Sequence, residues 1–98
     1  MNGTYTFNKS NWSGEEATIV VKNNQFEFYG YNFKLEPKAW DFEGDEYTDY
    51  AVCGDDWDEP LFRVRDMGDN EYWVSTSGIE RIGKNPFTLA AKVLANIL

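Results

Sequence analysis

Along the first two-thirds of this chain apolar residues recur at every second position, a period that fits pleated strands and not helices. Tyr5 and Phe7 share one parity, as do Ala17, Ile19 and Val21, and then Phe26 and Phe28. Between the second and third of these runs, Asn23-Asn24 supplies two residues tolerant of positive φ, which marks a hairpin. The returning strand is expected to continue past Gly30, with a bulge there, through Phe33 and Leu35 to Pro37. Strands are expected near Ala39–Phe42 and Tyr47–Val52, separated by Gly44. A second hairpin runs from Leu61 to Ser75 around Met67-Gly68-Asp69-Asn70, with Phe62, Val64, Tyr72 and Val74 facing inward and Ile79 and Ile82 in a connecting segment.

The last stretch changes period. Asn85 is a good N-cap, Pro86 suits the first helical position, and Leu89, Val93, Leu94 and Ile97 form an apolar stripe. The fold class is therefore α+β: one domain over residues 1–98, with an antiparallel β-sheet of about five or six strands and one C-terminal helix packed on a face. With 17% aromatic residues the chain has material for a compact core.

Charge is distributed unevenly. Residues 1–38 hold four bases and four acids and residues 63–98 hold five bases and four acids, whereas Ala39 to Phe62 contains nine acids and no Lys or Arg. That stretch accounts for the net charge of −8. It also carries Trp40, Phe42, Tyr47, Tyr50 and Trp57, unlike disordered acidic tails, which are poor in aromatics. If Asp41, Glu43 and Asp45 lie on one strand, they form a row of carboxylates about 6.7 Å apart. Trp57, between Asp55, Asp56, Asp58 and Glu59, is either the underside of a tight loop or an exposed anchor rimmed by charge.

Catalytic equipment is sparse. The chain has no histidine, and no Ser sits in a nucleophile elbow. Cys53, the single cysteine, is expected to be a buried structural thiol whose pKa is raised by the acidic run that follows it. An EF-hand loop counted from Asp41 would need Gly at its sixth place and Glu at its twelfth, where Glu46 and Val52 stand. No enzyme activity, cofactor or functional metal is expected.

The lone cysteine and the absence of a basic-then-apolar N-terminal run argue for a cytoplasmic setting. Asn11-Trp12-Ser13 matches a glycosylation sequon, which has little meaning there. An acidic chain is a poor ligand for nucleic acid or an anionic membrane, so neither is expected as a direct partner. A basic nucleic-acid-binding protein is.

In length, charge and lack of catalytic groups the chain resembles the small acidic proteins of phages and mobile elements that act as anti-CRISPR and anti-restriction DNA mimics, and the immunity proteins that cap toxin nucleases. The likeness is one of overall character, without a motif. It implies a stoichiometric inhibitor that occupies the cationic nucleic-acid-binding surface of a nuclease or defence effector. Asp45, Glu46, Asp49, Asp55, Asp56, Asp58 and Glu59 would supply its charge, with Tyr50 and Trp57 as apolar anchors. The alternatives are a structural or assembly module of a phage or bacterial complex, with Tyr29, Tyr31 and Trp73 in its interface, and an acidic strip that is simply a solvated face.

Overall fold

The computed structural model describes residues 2–9, 14–42 and 44–98, apart from the side chains of residues 40–42 and 45–47. The sequon at Asn11 lies outside the described residues. Among the described residues eight strands precede one helix: β1 (Gly3–Asn8), β2 (Glu16–Val21), β3 (Gln25–Phe28), β4 (Tyr31–Phe42), β5 (Asp45–Gly54), β6 (Phe62–Gly68), β7 (Glu71–Thr76), β8 (Ile79–Gly83) and α1 (Pro86–Ile97). β3 to β8 form a six-stranded antiparallel sheet whose spatial order is the chain order, while β1 and β2 pair separately. The fold is α+β with the helix packed on the sheet, as its sequence pattern predicts.

Tight turns set the register. Asn23-Asn24, Tyr29-Gly30, Asp69-Asn70 and Ser77-Gly78 each place two consecutive residues at positive φ, as type I′ hairpin turns require. At Asn23-Asn24 the Lys22 and Gln25 amides and carbonyls exchange hydrogen bonds of 2.9 and 3.0 Å, but the hairpin expected there is reduced to this one bridge. Beyond that single bridge the arms part, β2 to pair with β1 and β3 with β4.

Two expectations need correction. Gly30 does not mark a bulge in a continuing strand. Phe28 pairs with Tyr31, so Tyr29-Gly30 reverses the chain, and the Tyr29 ring lies on Phe28 with centroids 4.3 Å apart. The segment holding Ile79 and Ile82 is not a connection but strand β8, paired with β7 from Thr76↔Ile79 to Tyr72↔Gly83. β4, by contrast, runs unbroken through Pro37. The amide of Leu35 donates to Asn24 on the β3 side, so the amide position of Pro37, two residues on, faces the same side after β3 has ended. The missing N–H there removes no ladder bond.

One face of the large sheet, called inner here, is covered by α1 and the β1–β2 hairpin. Phe26, Phe28, Phe33, Leu35, Val52, Phe62, Val64, Tyr72 and Val74 are buried on it, with Phe26, Phe28, Phe62, Val64, Tyr72 and Val74 at the expected parity. Phe7, Ile19 and Val21 close the core from β1 and β2, and Phe87, Leu89, Ala90, Val93 and Leu94 close it from the helix. Phe26 links these parts, with its ring 5.7 Å from Phe33 and 6.3 Å edge-on from Phe87. Each such side chain contributes about 1.5–3 kcal/mol when fully removed from water. Asn85 caps the helix as its sequence position predicts, its Oδ1 accepting from the amides of Phe87 at 2.8 Å and Thr88 at 3.3 Å.

Candidate functional site

The acidic strip does not form one surface. Phe42 pairs with Asp45, so Asp41 lies on β4 and Asp45 on β5, and the row imagined for Asp41, Glu43 and Asp45 does not exist on a single strand. Glu43 itself lies outside the described residues. Glu46 is the register partner of Asp41, and the side chains of Asp45 and Glu46 lie outside the described set. From Asp45 to the acids that follow Gly54, β5 spans about 30 Å at ~3.3 Å per residue. Two acidic groups therefore stand at opposite ends of β5.

Between them, Asp49 and Tyr50 point to opposite faces. Tyr50 is half-buried on the inner side, its ring 6.2 Å from that of Tyr72. Asp49 is only 4% exposed on the outer face and accepts from Arg65 Nε at 3.4 Å. A base sixteen residues away in sequence thus compensates one of the nine acids.

The group at the C-terminal end of β5 is a built loop. The amide of Asp55 donates to Asn32, that of Trp57 to Gly54 and that of Leu61 to Val52, at 3.0, 3.1 and 2.8 Å. Trp57 is half-buried, stacked on Phe33 with centroids 5.8 Å apart and set edge-on to Tyr31 at 5.1 Å. Gly54 makes room for it, because a Cβ there would stand 2.5 Å from Trp57 Cε3. Trp57 is the underside of the loop rather than an exposed anchor. Asp55, Asp56, Asp58 and Glu59 are all exposed, and among the described residues none of them enters an ion pair.

The outer face of the sheet was not foreseen as a site. Lys34 and Lys38 flank Glu36 at 2.8 and 3.8 Å, and the hydrogen bond from Lys34 holds the Glu36 carboxyl below its ordinary pKa while raising that of Lys34. Across β5, Arg63 and Arg65 stand at the outward positions of β6, opposite Ala51 and Asp49. Four of the chain's nine bases thus gather on this face. The Arg65 guanidinium lies 5.7 Å from the Trp73 ring, whose indole N–H donates to Glu80 at 3.3 Å. A depression of about 420 Å³ opens here, lined by Arg63, Arg65, Trp73, Ser75, Thr76, Phe62 and the buried Asp49. The alternation Phe62-Arg63-Val64-Arg65 signals the two outward arginines; the register that sets Asp49 between them and Lys38 is not written in any one segment.

Cys53 lies on the same face and is half-buried rather than buried. Its thiol is pushed up first by partial burial and then by Glu36, whose Oε2 is 4.0 Å from Sγ, rather than by the acidic run that follows it. Among the described residues no three acidic or thiol side chains converge as metal ligands, and no helix is long and apolar enough to cross a membrane. Neither a family model, nor a curated protein, nor a solved structure matches this chain.

Proposed function

We propose that this protein is a non-catalytic inhibitor that binds the cationic nucleic-acid-binding surface of a nuclease or defence effector and excludes DNA or RNA by occupying it. The observation that carries this reading is the 55–59 loop, in which four exposed carboxylates are held by a backbone tied at three points and a Trp57 clamp beneath. A backbone already fixed in place loses little entropy on binding, so the loop is suited to meet a basic groove. Asp45 and Glu46 stand about 30 Å away along β5, close to the ~34 Å of one duplex turn, and fit a second contact on the same partner. Asp49, neutralised by Arg65, drops out of the charge-bearing set, and Trp57 and Tyr50 support it from behind.

An assembly module is the second reading, favoured by the exposure of Tyr29 and Tyr31 beside one another at the β3–β4 turn. The two part in one experiment. Tagged protein is held against a bacterial lysate at low salt, eluted with a salt gradient and challenged with duplex DNA, alongside the variant D55N/D56N/D58N/E59Q. Inhibition requires a nucleic-acid-binding partner that DNA displaces and whose association with the variant is several-fold slower. A partner that survives high salt, or an unchanged association rate, refutes it.

A further inference from the structure

We infer that the depression between β5, β6 and β7 on the outer face binds the C-terminal residue of a peptide, taking its carboxylate on Arg63 and its amide N–H on Asp49. The reasoning starts from Asp49. Its side chain is 5% exposed, and the one hydrogen bond it receives among the described residues reaches Oδ1 from Arg65 Nε at 3.4 Å. Charge-assisted bonds of this kind normally close to about 2.7–2.9 Å. Among the described residues Oδ2 therefore has no donor, which is rare for a buried carboxylate oxygen. Asp49 is part of the lining of the depression, which puts its carboxylate within reach of a ligand there.

Arg63 supplies the opposite charge. It is exposed, lines the same depression and makes no ion pair among the described residues. Ser75 stands at an outward position of the same wall, and Trp73, its indole N–H committed to Glu80, offers apolar surface.

These groups select the ligand. A simple anion meets the Asp49 carboxylate, and a simple cation meets two guanidinium groups. A molecule that carries an N–H donor beside an anionic group satisfies both. Asp49 faces Arg65, two positions from Arg63, so Asp49 and Arg63 are diagonal neighbours with Cβ atoms about 7–8 Å apart. That leaves only a few ångströms between donor and anion, the spacing of an amide and carboxylate on one α-carbon and shorter than that from a nucleobase edge to its phosphate. The side chain of the terminal residue would lie against Trp73, and about 420 Å³ is within the range of small-ligand sites. A long polyanion is disfavoured because acidic groups stand beyond both ends of β5.

The test is an NMR titration of the full chain, read at the Trp73 indole N–H and the Ser75 amide, with N-acetylleucine as probe. Two relatives remove one group each: 4-methylpentanoate lacks the amide, and N-acetylleucinamide lacks the carboxylate. Saturable shifts with N-acetylleucine alone, weakened about tenfold by Arg63→Gln, are expected. Arg63 is exposed, so this variant keeps the fold, and Asp49→Asn serves as a second variant that weakens binding in the same way. Equal shifts from 4-methylpentanoate, binding of guanosine monophosphate but not of N-acetylleucine, indifference to Arg63→Gln, or no saturation at millimolar concentration each overturn the assignment. The D55N/D56N/D58N/E59Q variant leaves this depression intact, so the outcome is independent of the inhibitor reading.

Discussion

Replacing Gly54 with alanine tests how the acidic loop is held. Gly54 is buried and pairs with Phe33 across β4. An added Cβ would lie 2.5 Å from Trp57 Cε3, 2.9 Å from its Cζ3 and 3.1 Å from Phe33 Cε1. Phe33 is 1% exposed and cannot retreat, so the half-buried indole must swing away. It then loses its pairing with Phe33 and with Tyr31, each worth about 0.5–1.5 kcal/mol. The unfolded chain loses some freedom when Gly becomes Ala, which offsets about 0.4–1 kcal/mol. A net destabilisation of about 1–2 kcal/mol remains, equivalent to a fall in Tm of about 5–15 °C at ~4–8 °C per kcal/mol. Urea unfolding followed by circular dichroism measures it. The same substitution in a Trp57→Ala background should be close to neutral, since the atoms it strikes are gone. An equal cost in both backgrounds, or no cost in either, would refute the clamp.

Three further outcomes follow from single contacts. Asn85→Ala removes the acceptor for two helix amides and should cost about 0.5–2 kcal/mol by urea unfolding, with the native circular dichroism spectrum retained. Cys53 should react with iodoacetamide more slowly than a free thiol at mildly alkaline pH, and its rate should keep rising above the pH at which an ordinary thiol levels off, because burial and Glu36 disfavour the thiolate. Lys34→Ala should raise the Glu36 carboxyl pKa in an NMR titration. In the native chain that carboxyl is held low, so its contribution to stability is present above the ordinary carboxylate pKa and is lost as pH falls through the lowered value; because the pair is exposed, the stability change should be small.

What the sequence made legible was local. The inward residues of both hairpins and the helix cap are set by spacings of two to four residues, and each was found where its period placed it. Tyr29-Gly30 was misread because Gly30 alone is compatible with a bulge or a turn. The choice depends on a tyrosine accepting φ of 52°, with its ring against Phe28 and the Lys9 ammonium 5.0 Å from its centroid. The nine acids looked alike on paper for a different reason. Only the cross-strand register separates Asp49, turned toward Arg65, from Asp55 and Asp56, turned to solvent. The same register gathers Lys34, Lys38, Arg63 and Arg65, which are scattered through the sequence, on one face.

The spatial order of the large sheet repeats the order of the chain, and this governs how the molecule assembles. Each strand finds its neighbour across a short connection, so the loop-closure entropy of every pairing step is small, and a six-stranded sheet built this way has low contact order for a β-rich protein. The exception is the helix, which packs against β1 as well as β6, β7 and β8. That contact joins the two ends of the described chain and closes its longest loop. The meander should form hairpin by hairpin, with docking of α1 against β1 left as the late, rate-shaping event that turns a curled sheet into a closed core.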